Sequence, residues 1–367
     1  MASPSEKNTA VKVVLKTLTP LWTAGANGKM ARIYESGLLG SLRWWHEAIV
    51  RALGGWACDP SGDIKCLFDA AAYEQSQEFD ERLRLRDAGL CDVCQLFGAT
   101  GWRRRFQLQV VEDHTQALWT GEQLLNIRPE GRSRGWFLPP GHLGTFSLRL
   151  QGAPSALAPV LALLHFAEQH ASLGPKPQLG YGVVEILNKD EVKPLMGDFS
   201  WEHLLPQKTA QGYGNSTAQR DLPRLDKMGF FRYCFQPEHS NWWMQLSGLE
   251  RVARFVQPFS RQTIPLAPLL KNSWRFDHWR RSWGRERDFW GLVEAERQRG
   301  KVAVSWAYRA DYTWEIRGSV WLDGLVDPKS VWAMFQNTDI WANTLGMEGK
   351  LTSISPKEWK KTLGLGA

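Results

Sequence analysis

The chain has no apolar run near the roughly 18 residues a membrane span requires. Its longest candidate, ALAPVLALLHFA from position 156, is short and broken by a proline. The start, MASPSEKNTA, lacks the basic and apolar regions of a secretory leader. These absences predict a cytoplasmic protein with no membrane partner. Cysteine is scarce, 5 in 367 residues. An odd, small number in a reducing compartment argues against a disulfide framework and leaves metal ligation or packed thiols. No HExxH or GxSxG motif is present, which removes two common hydrolytic sites. Acidic residues are outnumbered, 38 Asp+Glu against 45 Lys+Arg, and the net charge of +7 has the sign that suits a polyanionic partner. Tryptophan, by contrast, is abundant at 20 residues. Such rings fill a large core or offer flat faces for base stacking, and the first use is the commoner.

Hydrophobic periodicity predicts a strand at 11–18, then a Gly/Asn loop carrying Lys29 and Arg32. A helix follows over GLLGSLRWWHEAIVRALGG, with Ser41 capping its start, Gly54 and Gly55 ending it, and Arg43, His46, Glu47 and Arg51 on its polar side. After a charged excursion come strands at 105–111, 137–138 and 145–150, a helix at 157–170, the loop SLGPKPQLGYG, and a strand at 183–187. This order suits a ferredoxin-like or RRM-like α+β domain with loop insertions. A second domain of the same class is predicted from a strand at 230–235, a helix at 242–256, strands at 302–308 and 312–322, and a last helix at 329–335. The expected divisions are 1–200, with an insertion over about 56–96, a linker at 201–228, and 229–367.

Three constellations could carry chemistry. Cys91 and Cys94 form half of a tetrahedral site that Cys58 and Cys66 could complete, and four thiolates would make any zinc structural. Buried free thiols remain open, whereas redox chemistry fits poorly because the CxxC leads to a turn and a strand. The loop LGPKPQLGYG has a helix before it and a strand after it, the reverse of a Walker or dinucleotide loop. Its backbone could approach RNA phosphates with Lys176 as the charge and Tyr181 as a stacking ring, or it is an ordinary connection stiffened by prolines. Arg103, Arg104 and Arg105 enter a strand, so at most two share a face. The segment FDHWRRSWGRERDFW mixes rings and cations as RNA surfaces do, although a helical aromatic seam is more often core.

The runs LTPLWTAGANGKMARIYESGLLGSLRWWHEAIVRALGG, CQLFGATGW, the glycine loop and VAVSWAYRADYTWEIRGSVW resemble the RAMP proteins of type III-B CRISPR effector complexes, the first Cmr subunit in particular. The resemblance spans both halves of the chain. It implies two ferredoxin-like domains in a ribonucleoprotein that fights viruses, a place beside other Cmr subunits, and contact with the 3′ part of the CRISPR RNA and with target RNA. It also implies RNA-facing roles for Lys29, Arg32 and Arg43 in the loop-helix unit and for Gly174, Lys176, Gly180, Tyr181 and Gly182 in the glycine loop. Arg51, Arg103 and Arg105 are further candidates. The RNA-cutting relatives carry an aspartate before the GS-containing helix; GANGKMARIYES has none, and only Glu35 could hold an ion there. The expected protein is therefore a binder. The alternative is a metal-independent nuclease maturing CRISPR RNA, with His46 and Tyr34 as the available groups.

Overall fold

A computed structural model describes residues 7–60, 62, 65–121, 123–205, 222–291 and 299–366. Strand β1 (Thr9–Thr17) buries alternate residues Val11, Val13 and Leu15, as a half-covered strand must. With β2 (Phe106–Asp113), β3 (Thr145–Gly152) and β4 (Val184–Ile186) it forms an antiparallel sheet in the order β2-β3-β1-β4. Helices α1 (Glu35–Ala52) and α3 (Pro154–His170) connect β1 to β2 and β3 to β4. That is the connectivity and strand order of a split βαβ unit. Between α1 and β2 lies the cysteine-bearing insertion, which includes α2 (Asp92–Phe97).

The second sheet repeats the plan. Strand β5 (Met228–Phe235) lies between β8 (Thr313–Trp321) and β9 (Gly349–Ile354), and β7 (Ala307–Ala310) adds to β8. A two-residue strand, Thr263–Ile264, pairs with the outer edge of β7, and the remaining order β7-β8-β5-β9 matches that of the first sheet. The predicted strand at 302–308 is interrupted: β6 (Val302–Val304) and β7 both pair with β8, and the chain leaves the ladder between them.

Several expectations change. Helix α1 begins six residues before Ser41, whose hydroxyl instead donates to the Ser172 carbonyl at 3.3 Å. The helix predicted at 242–256 is a chain of short turns, because Gly248 takes φ 85° against the Arg128 carbonyl. The aromatic seam from Phe276 is likewise no continuous helix but a π turn (Ser273–His278) and a 3-10 turn (Arg281–Trp283). Helix α4 (Pro328–Gln336) agrees with expectation, but α5 (Thr338–Leu345) and β9 follow it. β9 escaped notice because it is a half-exposed edge strand with weak alternation.

Each of the two core clusters draws on both halves of the chain. Phe230 of β5 packs in a cluster with α1 and α3, while its neighbour Phe231 points the other way into a cluster with Trp274, Phe335 and Trp341. Leu225 and Leu363 join the first cluster, and Leu125, Ile127, Leu138 and Tyr181 the second. Most of the tryptophan surplus is core. Of the predicted linker, residues 206–221 lie outside the described residues, and its flanks are packed: Trp201 and Leu225 are buried. Arg317 of β8 pins the halves together. It is buried, and its guanidinium donates to the Glu168 and Ala167 carbonyls at the C-terminal end of α3, where the negative end of the helix dipole favours a cation.

Candidate nucleic-acid interface

Helix α1 presents two different faces. Gly37, Gly40, Ser41, Trp44 and Trp45 recur at i, i+3, i+4, i+7 and i+8 and line a cleft of about 490 Å³ between the two halves. The other walls are Ser172, Gly174 and Pro175 of the glycine loop, and Arg299, Gly300 and Lys301 with Trp321. Arg299 lies over the Trp44 ring at 5.4 Å and Lys301 over Trp321 at 4.6 Å. Rings and cations are thus held together at an open surface, which suits stacking with charge neutralisation. A Cβ placed on Gly40 would meet no atom within 4 Å. A mid-helix glycine costs about 0.5–1 kcal/mol relative to alanine, and no packing within the chain requires it here. Sequence reading missed Arg299, Lys301, Trp44 and Trp321. The glycine and tryptophan spacing in ESGLLGSLRWW was the available signal for the helix side; the RGK at 299–301 is too short to stand out.

The predicted residues divide. Gly174 lines the cleft, and Lys176 lies 4.1 Å over the Trp22 ring, half-buried, with burial lowering its pKa. Gly180, Tyr181 and Gly182 do not face solvent. The Tyr181 hydroxyl donates to the Pro139 carbonyl at 2.6 Å and its ring packs on Trp306. Gly182 has φ 92°, and a Cβ there would sit 1.9 Å from the Leu173 carbonyl oxygen. The loop's later glycines serve internal packing, which corrects the assignment of these three to RNA.

Arg51 is also reassigned. It is 2% exposed, and its guanidinium donates to the Ala57, Cys58 and Pro223 carbonyls and pairs with Glu47. No phosphate can reach it. Arg43 points the same way: it bonds Glu47 at 2.9 Å, the Gly98 carbonyl at 3.1 Å and Cys94 Sγ at 3.1 Å. Arg32 forks onto Glu35, so that carboxylate is already neutralised by a cation. Lys29, Arg103 and Arg105 are exposed but away from the cleft lining, and Arg104 turns back to the Phe106 carbonyl.

The second face of α1 closes on the cysteines. The sulfurs of Cys58, Cys66, Cys91 and Cys94 are buried and lie within 4.8 Å of one another. A tetrahedral zinc with bonds of 2.3 Å needs sulfurs roughly 3.8 Å apart, so the four fit such an ion. Cys91 caps α2 by accepting the Cys94 amide at 3.4 Å, and Cys66 accepts the Cys91 amide at 3.2 Å. Amides and an arginine aimed at sulfur stabilise thiolates and have no such use beside neutral thiols. Hydrogen bonds from the other three hold Cys58 far below the usual thiol range, and as their donors Cys66 and Cys91 are raised. Four thiols crowded in this way cannot all ionise unless a cation joins them.

His46 lies between these faces, 1% exposed, against Phe97 and Trp201, with no hydrogen-bond partner on either ring nitrogen among the described residues. Burial depresses its pKa to about 4. Tyr34 is half-buried against Gly25.

Taken together, these features define two antiparallel sheets of related strand order with a cationic, aromatic cleft between the halves and a four-cysteine centre beneath one wall. Residues 14–185 match the model of the RAMP superfamily. No curated protein matches the sequence. Among solved structures, Cmr1 from Pyrococcus furiosus in its apo form is 12% identical, with 95% of this chain and 99% of that one covered and a TM-score of 0.42. A chain of the type III-B Cmr-beta complex bound to cognate target RNA and AMPPnP is 11% identical, covering 93% and 100%, with a TM-score of 0.40. Cmr6 from Pyrococcus furiosus is 16% identical, covering 49% and 98%, with a TM-score of 0.24. No helix among the described residues is long and apolar enough to cross a membrane.

Proposed function

We propose that this chain is a non-catalytic RNA-binding subunit of a type III-B CRISPR ribonucleoprotein. It holds the 3′ part of the CRISPR RNA and meets the target RNA beside other Cmr subunits. The observation that carries the reading is the interdomain cleft, where the bare backbone of Gly40 adjoins Trp44, Arg299, Lys301 and Trp321. The RAMP match and the motifs shared with the first Cmr subunit support the assembly. In the cleft, the bare helix face admits a sugar-phosphate chain, Arg299 and Lys301 neutralise it, and an indole face takes a base for roughly 1–3 kcal/mol. The sealed, neutral His46 and the Arg32-paired Glu35 supply no accessible acid, base or ion ligand, which favours binding over cleavage. Fluorescent single-stranded RNA titrated across a salt series, with the same samples run on a gel, tests this. Salt-sensitive binding of intact RNA that Trp44→Ala weakens is the expected result. Specific cleavage without metal would replace this reading with the nuclease, and no binding by the wild type would remove it.

The cysteine centre holds a structural zinc in this reading, supported by four buried sulfurs, two amides and Arg43 converging on one point. Bound zinc supplies folding energy to the insertion and no chemistry, since four thiolates leave no position for water. Elemental analysis of purified protein should give one zinc per chain, reduced in Cys91→Ser. A metal-free preparation with an intact insertion would sink the idea.

A further inference from the structure

The segment from Arg275 to Arg287 carries five arginines against two acids, in a chain whose total excess is +7. Both acids already have partners: Asp277 pairs with Arg132 at 2.7 Å and Glu286 with Arg275 at 2.6 Å. Arg280, Arg281, Arg285 and Arg287 are exposed, and among the described residues none of them makes an ion pair. An ordinary solvated charge run sits on a helix face with acids interleaved. This one is held by packed rings on irregular turns that run into a short helix (Glu286–Trp290). Trp279 stacks on Phe289 at 4.9 Å, Trp283 meets Trp279 edge-on, and the Trp283 carbonyl accepts the Val326 amide. A π turn, a form frequent at functional sites, opens the segment. At its start Phe276, 48% exposed, lies between Arg132 at 4.4 Å and Arg275 at 5.0 Å. Just past its end the Phe289 carbonyl accepts the amide of Lys301, a cleft residue, which ties the segment to one wall of the cleft.

We propose that this arginine-bearing turn is a second RNA contact, a sequence-independent phosphate track that receives the strand where it leaves the cleft. The inference rests on the RNA-binding reading and extends it. Guanidiniums on an aromatic-anchored turn lose little freedom when they grip phosphates, and four exposed cations whose one intervening acid, Glu286, is already paired with Arg275 suit a polyanionic strand better than a mixed-charge protein surface. The recognised chemistry is the backbone of single-stranded RNA, read without regard to base.

The test compares wild type, the quadruple variant R280Q/R281Q/R285Q/R287Q and Trp44→Ala, each binding labelled single-stranded RNA of about 8 and about 30 nucleotides over a salt series. All four arginines are exposed, so folding should persist, and matching thermal unfolding checks it. The quadruple variant should lose about tenfold or more in affinity for the long RNA, with its salt dependence reduced by roughly 0.7 for each phosphate contact removed, yet bind the short RNA as wild type does. Trp44→Ala should weaken both lengths. Long-RNA affinity and salt slope unchanged in the quadruple variant would overturn the track and leave the patch for an acidic protein neighbour. Loss only in the quadruple variant, with Trp44→Ala silent, would keep the track and reject the cleft. Failure of the wild type to bind either RNA would reject both.

Discussion

At the residue scale, the instructive positions are those whose cost is not returned within the chain. Gly40 weakens α1 and touches nothing. Gly40→Ala should therefore raise stability by about 0.5–1 kcal/mol in denaturant unfolding while weakening RNA binding, opposite signs that a purely structural glycine would not give. Lys271 is buried, and its ammonium donates to the Gln178 carbonyl of the glycine loop at 2.6 Å. Burial, with Arg299 and Arg275 nearby, lowers its pKa from 10.5 to about 7. Between those values the unfolded chain binds the extra proton, so this lysine makes stability rise with pH from about 7 to 10.5. Lys271→Met should flatten that rise in unfolding curves taken across the range.

At the scale of elements, α1 acts as a partition with the cleft on one side and the cysteines on the other. Arg43 and Arg51 belong to the second side, so Arg43→Ala should speed loss of the proposed zinc to a chelator and leave the salt slope of RNA binding as in wild type. A fall in that slope would return Arg43 to the RNA. In the glycine loop, Gly182→Ala should cost roughly 2–4 kcal/mol, because it combines a left-handed backbone with a clash against the Leu173 carbonyl. Thermal unfolding reads this directly. The polar periodicity of α1 was legible from sequence, but not which neighbour would cover each face. For Arg43 and Arg51 charge suggested phosphate, and tertiary packing supplied carbonyls and sulfurs instead.

For the whole molecule, the shared strand β5 and the Arg317 pin join the two halves of the chain. Calorimetry should show a single transition, and Arg317→Leu should lower its midpoint by removing the buried guanidinium's bonds to the Ala167 and Glu168 carbonyls. Two resolved transitions would mean that the halves fold separately.

The sequence by itself determined the strands and helices with strong periodicity, such as β1, α1, α3 and β8, because side-chain spacing alone sets which face is buried. It also determined the RAMP motifs and the four cysteines as a potential set, since ligand type and spacing are local properties. Only the tertiary structure decided that Tyr181, Gly180 and Gly182 are packing residues, that Trp242–Val256 breaks into turns, and that β9 completes the second sheet. The same holds for the cleft, whose walls come from α1, residues 172–178, residues 299–303 and Trp321. No local pattern encodes a site assembled from positions more than 250 residues apart; their meeting follows from long-range packing of two cores through β5.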